Sequence, residues 1–307
     1  MDMSGAVDAG VGRVPASAGV KDWLRLFRVH QYAKNALVFV PLCTAQQFTL
    51  ASLQAAGGAF VAFSLCASAV YVFNDLADID ADRAHPTKRA RPLAAGLIAQ
   101  RPAIITALVS LVAAAAVAAS VSLALLGVLG GYFALTSAYT YSLKRKMFVD
   151  VVALAMLYTI RVIAGAVAVG VEPSEWLLAF SVFMFTALAL VKRFTEVAAH
   201  LDKGTNGPAN RNYTVGDLSV VAALAAAAGF NAVTVFALYV SSDAVRRLYH
   251  HPRPLWLICP ILMYWLSRIL MLANRRLMHD DPVVFALKDW RSCLCAAATG
   301  AILFAAI

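Results

Sequence analysis

Charge is scarce in this 307-residue chain: 14% of its residues are Asp, Glu, Lys or Arg, against 61% hydrophobic. Soluble domains average about 25% charged and about 45–50% apolar. A water-soluble globular protein is therefore excluded, and a polytopic membrane protein is indicated. Acid is the scarcer sign, with 17 carboxylates against 26 Lys and Arg. In a soluble chain a formal charge of +9 would suggest nucleic acid. In an apolar one the cations mark cytoplasmic loops or an anionic substrate, and no nucleic-acid partner is expected. Cysteine is sparse too: Cys43, Cys66, Cys259, Cys293 and Cys295 lack metal-ligand spacing and read as small apolar core residues. No nucleophile elbow, Walker motif, HExxH or dinucleotide fingerprint occurs. No cleavable signal peptide is read at the start; Met1 to Ala18 is polar and rich in Gly and Ala, and is expected to be a disordered tail ahead of one domain over 19–307.

What the chain has is apolar length. Crossing a bilayer takes about 20 apolar residues, and nine stretches qualify: roughly 33–49, 54–74, 102–120, 122–141, 148–169, 175–191, 218–240, 254–273 and 284–306. The third and fourth nearly touch, so the turn at Ser120 to Ser122 must be tight. Of the 26 cations, 22 fall in one set of alternate connections. Only Arg246, Arg247 and Arg253 fall in the other, and Arg161 lies within a span. The positive-inside rule then places the N-terminus in the cytoplasm and the C-terminus outside, in the plasma membrane.

Chemistry concentrates after the second span, in YVFNDLADIDADRAHPTKRARPLAAG over 71–96. On one continuous helix, Asp75, Asp78 and Asp82 fall within about 60° of one another and Asp80 points nearly opposite. Three anions sharing a face at a membrane edge repel and are poorly solvated. A hard divalent cation such as Mg²⁺ relieves both costs, with Asn74 as a further oxygen donor. Arg83, Lys88, Arg89 and Arg91 follow and add the cations that a diphosphate clamp needs. A solvated helix end would explain an isolated acidic triplet; the Asn, the shared face, the basic run and two prolines argue against it here.

Further candidates lie on the same side. Arg28, His30, Gln31, Lys34 and Asn35 enter the membrane edge together, although snorkelling alone would account for a lone lysine. Tyr141, Lys144 and Arg145, with Lys146 and Asp150 following, read as a topogenic loop or as a second phosphate contact. Arg161 sits mid-span, where a charge costs about 2.5–3.5 kcal/mol, and is expected to face a polar cavity or a carboxylate. Lys192 and Glu196 stand at i,i+4, the spacing of an intrahelical ion pair. The loop Asp202 to Asp217, with Gly204, Gly207, Pro208, Arg211 and Tyr213, is suited to capping a site. Asp280 and Asp281 before Pro282 read simply as a helix start.

Asn74-Asp75-x-x-Asp78-x-x-x-Asp82 after the second of nine spans resembles the first motif of the UbiA superfamily of intramembrane prenyltransferases. The opening RVHQYAKN and the Tyr141-Ser-Leu-Lys144 segment extend the likeness over most of the chain. The resemblance implies an all-α bundle of nine transmembrane helices in which Asn74, Asp75, Asp78 and Asp82 bind Mg²⁺ and a donor diphosphate. The family's second acidic motif, after the sixth span, is replaced here by Lys192-Arg193-Phe-Thr-Glu196. That change, with HPTKRxRPxAAG over 85–96 and IRxIAG around Arg161, is similar to a branch that transfers 5-phosphoribose from phosphoribosyl diphosphate (PRPP) to decaprenyl phosphate.

On that likeness Asp75, Asp78, Asp82 and Asn74 are the catalytic and metal residues. Lys34, Lys88, Arg91, Tyr141, Lys144, Arg145, Arg161, Lys192, Arg193, Glu196 and Tyr213 are substrate-binding candidates. PRPP carries a diphosphate and a separate 5-phosphate, so cations in place of a second acidic motif suit a second anion. The lipid phosphate is already ionised and needs no general base, which fits the lack of an obvious catalytic His. The polyprenyl tail is expected along an apolar groove, and a homo-oligomer stays open. Two alternatives stand beside this reading: an aromatic prenyltransferase with a polyprenyl diphosphate donor, and a lipid-phosphate carrier or flippase.

Overall fold

Short capping side chains punctuate the apolar runs. Thr49 accepts the Ser52 amide at 3.1 Å and starts helix α3, Leu50–Ala77; ahead of it lie α1, Val20–Leu26, and α2, Val40–Thr44. After α4, Ile79–Ala84, and α5, Gln100–Val121, Ser122 alone makes the turn. It ends α5 and caps α6, Leu123–Tyr141, by accepting the Leu125 amide at 3.0 Å, which is the tight connection the sequence requires. Then come α7, Val149–Val169; α8, Glu175–Asp202; α9, Leu218–Ser241; α10, Asp243–Leu248; and α11, Ile258–Asn274. The chain closes with α12, Pro282–Lys288, and α13, Trp290–Ala306. This computed structural model describes residues 18–207, 211–278 and 281–307. The expected tail as far as residue 17, with Pro208 and Asp280, lies outside them.

The described residues are helical, without strands, and seven helical segments are long and apolar enough to cross a membrane. The expected count of nine is not reached in that form. The first expected span is a 3₁₀ segment, Val29–Phe39, followed by the five residues of α2. A 3₁₀ helix rises about 2.0 Å per residue, so those 11 residues cover about 22 Å and need fewer residues than an α-helix of equal length. The ninth is split at Asp289. Its carboxylate accepts the Ser292 amide at 2.8 Å and takes both terminal nitrogens of Arg268 at 2.6 and 2.9 Å, so a new helix starts there instead of the old one continuing.

Helix α7 is the axis of the bundle. Of its most apolar stretch 67% is buried, against 17% for α6, so α6 faces lipid while α7 is walled by α3, α6, α8 and the 3₁₀ segment. The 3₁₀ segment runs alongside α7, and Gly165 permits this closeness: a Cβ there would be driven into the Val38 carbonyl. One core joins α7, α8 and α9 through Val162, Leu188, Phe194 and Val221. A second joins α3, α6 and α7 through Phe63, Leu129 and Leu157. Two helices run past their expected ends. Helix α3 carries Asn74 and Asp75 inside its last turn, and α8 carries Lys192, Arg193 and Glu196 within the helix.

Candidate active site

The C-terminal ends of α3, α6 and α8 meet the N-terminal ends of α7 and the 3₁₀ segment at one end of the bundle. Three charged clusters lie there. The first closes the end of α3. Asp75 is 3% exposed and Asp82 2%, and a single nitrogen of Arg91 stands 3.1 Å from the first carboxylate and 2.6 Å from the second. Arg28 reaches Asp75 at 2.5 Å from a left-handed backbone turn, φ +52°, with its guanidinium 4.7 Å from the centre of the Tyr71 ring. Asn74 donates to Thr140 at 3.3 Å and ties α3 to α6.

The shared face expected of Asp75, Asp78 and Asp82 is not formed. Helix α3 ends at Ala77, Asp78 becomes the exposed junction with α4, and only two of the three carboxylates converge. Among the described residues no three His, Cys, Asp or Glu side chains gather as a metal set. The donors still suit Mg²⁺ in kind. Two buried carboxylates aim at one cationic atom, and they are hard oxygen ligands of the sort that ion takes. Asp80 is exposed beside Arg83 at 3.4 Å, on the side where helical spacing puts it.

The second cluster surrounds Asp281, whose side chain is only 10% exposed. Its Oδ2 lies 2.9 Å from Lys34 Nζ and 3.0 Å from Lys192 Nζ. The Tyr158 hydroxyl donates to Oδ1 at 3.0 Å, and the Val283 amide donates to the same oxygen at 3.2 Å. Asp281 does begin α12, as the sequence suggests, and it also joins two distant lysines. Burial alone would raise its pKa, but Lys192 and Lys34 hold the carboxyl below the usual carboxylate range. Lys192 therefore pairs with Asp281 rather than with Glu196 as its spacing predicts.

Arg161 borders this cluster and is 5% exposed. It faces neutral partners only: Nε donates to Asn35 Oδ1 at 2.8 Å, one terminal nitrogen to Tyr132 OH at 3.0 Å, and the other to the Leu157 carbonyl. No carboxylate stands among its hydrogen-bond partners in the described residues. Both Arg161 and Lys34 lie near the Tyr158 ring, at 5.9 and 5.7 Å from its centre. Lys34 and Lys192 thus pair with one carboxylate, and Arg161 is a third cation beside the same Tyr158 ring. The other two clusters each hold two cations and two anions.

In the third cluster Arg193, fully buried, stands 2.6 Å from Oδ2 of the equally buried Asp150 and also binds Glu196. Arg211 reaches Glu196 at 3.3 Å and Asp150 at 3.5 Å. The Tyr213 hydroxyl donates to Asp150 Oδ1 at 2.8 Å, and burial pushes that phenol well above its ordinary pKa. The loop after α8 is thereby fastened to α7 and α8, and Arg193, Glu196 and Tyr213 are occupied with one another. Lys144 is half-buried, while Lys88, Tyr141 and Arg145 are exposed near this end without joining a cluster. Sequence reasoning named Arg28 and Asp150 among its candidates without a role for either, read Asp281 only as a helix start, and did not single out Tyr158.

Beyond Arg161 a cavity of about 630 Å³ opens between Val162, Ala166, Leu177, Phe180, Phe236 and Leu262, beginning within one helical turn of that residue along α7. Its wall is mostly apolar, with Glu172 and Arg247 also lining it.

Comparison with known proteins places this arrangement. The chain is 39% identical over 274 residues to the uncharacterised protein y4nM of Sinorhizobium fredii, covering 88% of this chain and 53% of that one. It is 32% identical to the nodulation protein NoeC of Azorhizobium caulinodans, covering 87% of each. It is 37% identical to the decaprenyl-phosphate phosphoribosyltransferase of Mycobacterium tuberculosis, over 59% of this chain and 61% of that one. The chain thus spans only about half the length of the Sinorhizobium protein. In fold it is similar to a UbiA homologue from Archaeoglobus fulgidus bound to GPP and Mg²⁺, with a TM-score of 0.69 at 18% identity, covering 92% of this chain and 99% of that one. The model of the UbiA prenyltransferase family matches residues 36–290, and this multi-pass membrane protein belongs to that family.

Proposed function

We propose that this protein transfers 5-phosphoribose from PRPP to a polyprenyl phosphate of the decaprenyl type and releases diphosphate. One observation supports the reading: the end of the bundle holds two separate groups of cations, each suited to an anion's place. One is the Asp75, Asp82, Arg28 and Arg91 cluster, and the other is the cation-rich group of Lys34, Lys192 and Arg161, in which the two lysines share one carboxylate. A donor with one diphosphate needs one such place. PRPP with an ionised lipid phosphate brings more than one anion to the site. The partial likeness to decaprenyl-phosphate phosphoribosyltransferases supports the same choice.

In this mechanism Asp75 and Asp82 would hold Mg²⁺, which when bound would neutralise charge on the diphosphate. Asp78 and Asn74 would join them only by turning from the outward position of the one and the Thr140 bond of the other. Arg28 and Arg91 move from their carboxylates to the diphosphate oxygens as guanidinium donors. An oxygen of the lipid phosphate bonds to the anomeric carbon while the bond from that carbon to the diphosphate oxygen breaks, and the electron pair leaves with the diphosphate. No proton moves, so no side chain acts as a base. Lys34, Lys192 and Arg161 steady a phosphate monoester, Lys88, Lys144 and Arg145 serve as outer contacts, and the tail enters the apolar cavity past Val162. In this reading the 3₁₀ segment with α2, and α12 with α13, complete nine crossings. The basic end faces the cytoplasm and the C-terminus lies outside the plasma membrane.

The alternative is an aromatic prenyltransferase with a polyprenyl diphosphate donor, favoured by the prenyl diphosphate bound in the Archaeoglobus homologue. Purified protein in detergent with Mg²⁺ decides between them. One tube offers labelled PRPP with polyprenyl phosphate, and the other a prenyl diphosphate with hydroxybenzoate. Label passing from PRPP into lipid, lost with chelator and in Asp75→Asn, is the expected result. Product in the second tube alone overturns the PRPP reading.

A further inference from the structure

We infer that Lys34, Lys192 and Tyr158 form a subsite for a phosphate monoester, and that Asp281 is the internal anion that fills it until the substrate phosphate displaces it. The inference deepens the proposed function and rests on it in supposing a phosphate-bearing substrate.

The geometry of Asp281 resembles that of a bound anion more than that of a tie between two helices. A surface ion pair usually involves one cation. Here two ammonium groups from the 3₁₀ segment and α8 converge on the same oxygen at 2.9 and 3.0 Å, and a phenol from α7 donates to both oxygens at 3.0 and 3.3 Å. Every contact is a donor, as around a phosphate. The carboxylate comes from a separate element, the start of α12, and its own element gives it only the Val283 amide. Removing that one short segment would leave three donors aimed at a common point with Arg161 behind them.

The charges make the exchange favourable. Two half-buried lysines on one carboxylate, with the buried Arg161 nearby, leave an excess of positive charge, which a phosphate dianion matches better than a carboxylate does. Asp281 prevents the lysines from repelling each other while the site waits, and departs when the better-matched anion arrives. Such a stand-in lowers apparent affinity by the fraction of time it occupies the site. It also excludes monoanions too weak to displace it.

The phosphate could come from the lipid head or from the ribose 5-phosphate of the donor, and the test separates them. Binding to the full chain in detergent is measured by isothermal titration for wild type and Asp281→Asn, with inorganic phosphate, ribose 5-phosphate and farnesyl phosphate. If Asp281 occupies the subsite about nine-tenths of the time, the variant should bind inorganic phosphate about tenfold more tightly. It should likewise bind whichever of the two organic phosphates uses the subsite more tightly. A gain with farnesyl phosphate assigns the lipid head, and a gain with ribose 5-phosphate assigns the donor. Unchanged or weaker inorganic phosphate binding in the variant overturns the proposal, leaving Asp281 a purely structural tie. A second measurement needs no variant: hydrogen exchange over 283–288 of the wild type should quicken at saturating phosphate, because the Val283 amide loses its acceptor. Slower or unchanged exchange there also overturns it. Neither readout depends on turnover, so a failed PRPP transfer assay would leave this result standing and the reverse would hold as well.

Discussion

Arg193 and Asp150 meet at 2.6 Å with both side chains wholly buried, one in the C-terminal half of α8 and the other in the first turn of α7. Their charges are balanced locally by Glu196 and Arg211, so the cluster is neutral as a whole. Taking one charge from such a pair strands the other, which costs about 3–5 kcal/mol. Asp150→Asn and Arg193→Met should each lower the melting temperature in detergent sharply. The double variant should lose less than the two single losses summed, since Arg211 and Glu196 still pair. Additive losses would mean that the two residues do not interact.

Arg161 is the opposite case, a buried cation with neutral partners only. Arg161→Met strands no anion. It leaves Asn35 and Tyr132 short of a hydrogen bond, at about 1–3 kcal/mol, and removes a mid-span charge that costs about 2.5–3.5 kcal/mol. Stability should therefore stay within about 1 kcal/mol of wild type. Turnover should fall by about a hundredfold or more, the usual size for losing a fixed charge that faces a reacting anion. The check is melting temperature and initial rate on one preparation; retained turnover, or a stability loss as deep as that of Asp150→Asn, sinks the assignment.

These two arginines show how far the sequence could be read. The apolar runs located the seven long helices, all but α8 to within about four residues at each end, because crossing a membrane depends chiefly on apolar length; α8 runs eleven residues past its expected end. The cations of the site were also legible, as charges where charge is expensive. Their partners were not. Lys34, Tyr158, Lys192 and Asp281 are brought together from four elements, and no local spacing records that. The expected face of Asp75, Asp78 and Asp82 presumed one continuous helix, and the break at Ala77 sends Asp78 outward. The expected pair of Lys192 with Glu196 lost to a nearer and more buried acid. Local periodicity describes a helix well until a tertiary charge competes for the same side chain.

The approach of the 3₁₀ segment to α7 gives a prediction that isolates position from chemistry. Gly165→Ala inserts a methyl group where the Val38 carbonyl stands, and overpacking of this kind costs about 1–3 kcal/mol. The shift should carry Lys34 and Asn35 away from Asp281 and Arg161, and so raise KM for the phosphate-bearing substrate as well as lower the melting temperature. Gly130→Ala in α6 has open space around the new methyl group and should be neutral or stabilising by about 0.5–1 kcal/mol. Equal behaviour of the two variants would show that the close approach does not matter.

The pairing of Asp281 predicts how stability depends on acidity. Its carboxyl titrates below the usual range in the folded chain, and near about 3.9 when unfolded. A depressed carboxylate contributes stability at pH above the unfolded value and loses it as the pH falls through the folded value. The stability lost in Asp281→Asn should therefore shrink as the pH falls below about 4. Saturating inorganic phosphate should narrow the same gap at pH 7, because the added anion binds the lysines that the variant leaves without a counterion. Thermal melts of both proteins across that pH series give the answer. A gap that fails to shrink below about pH 4 would mean that the two lysines do not hold Asp281 ionised.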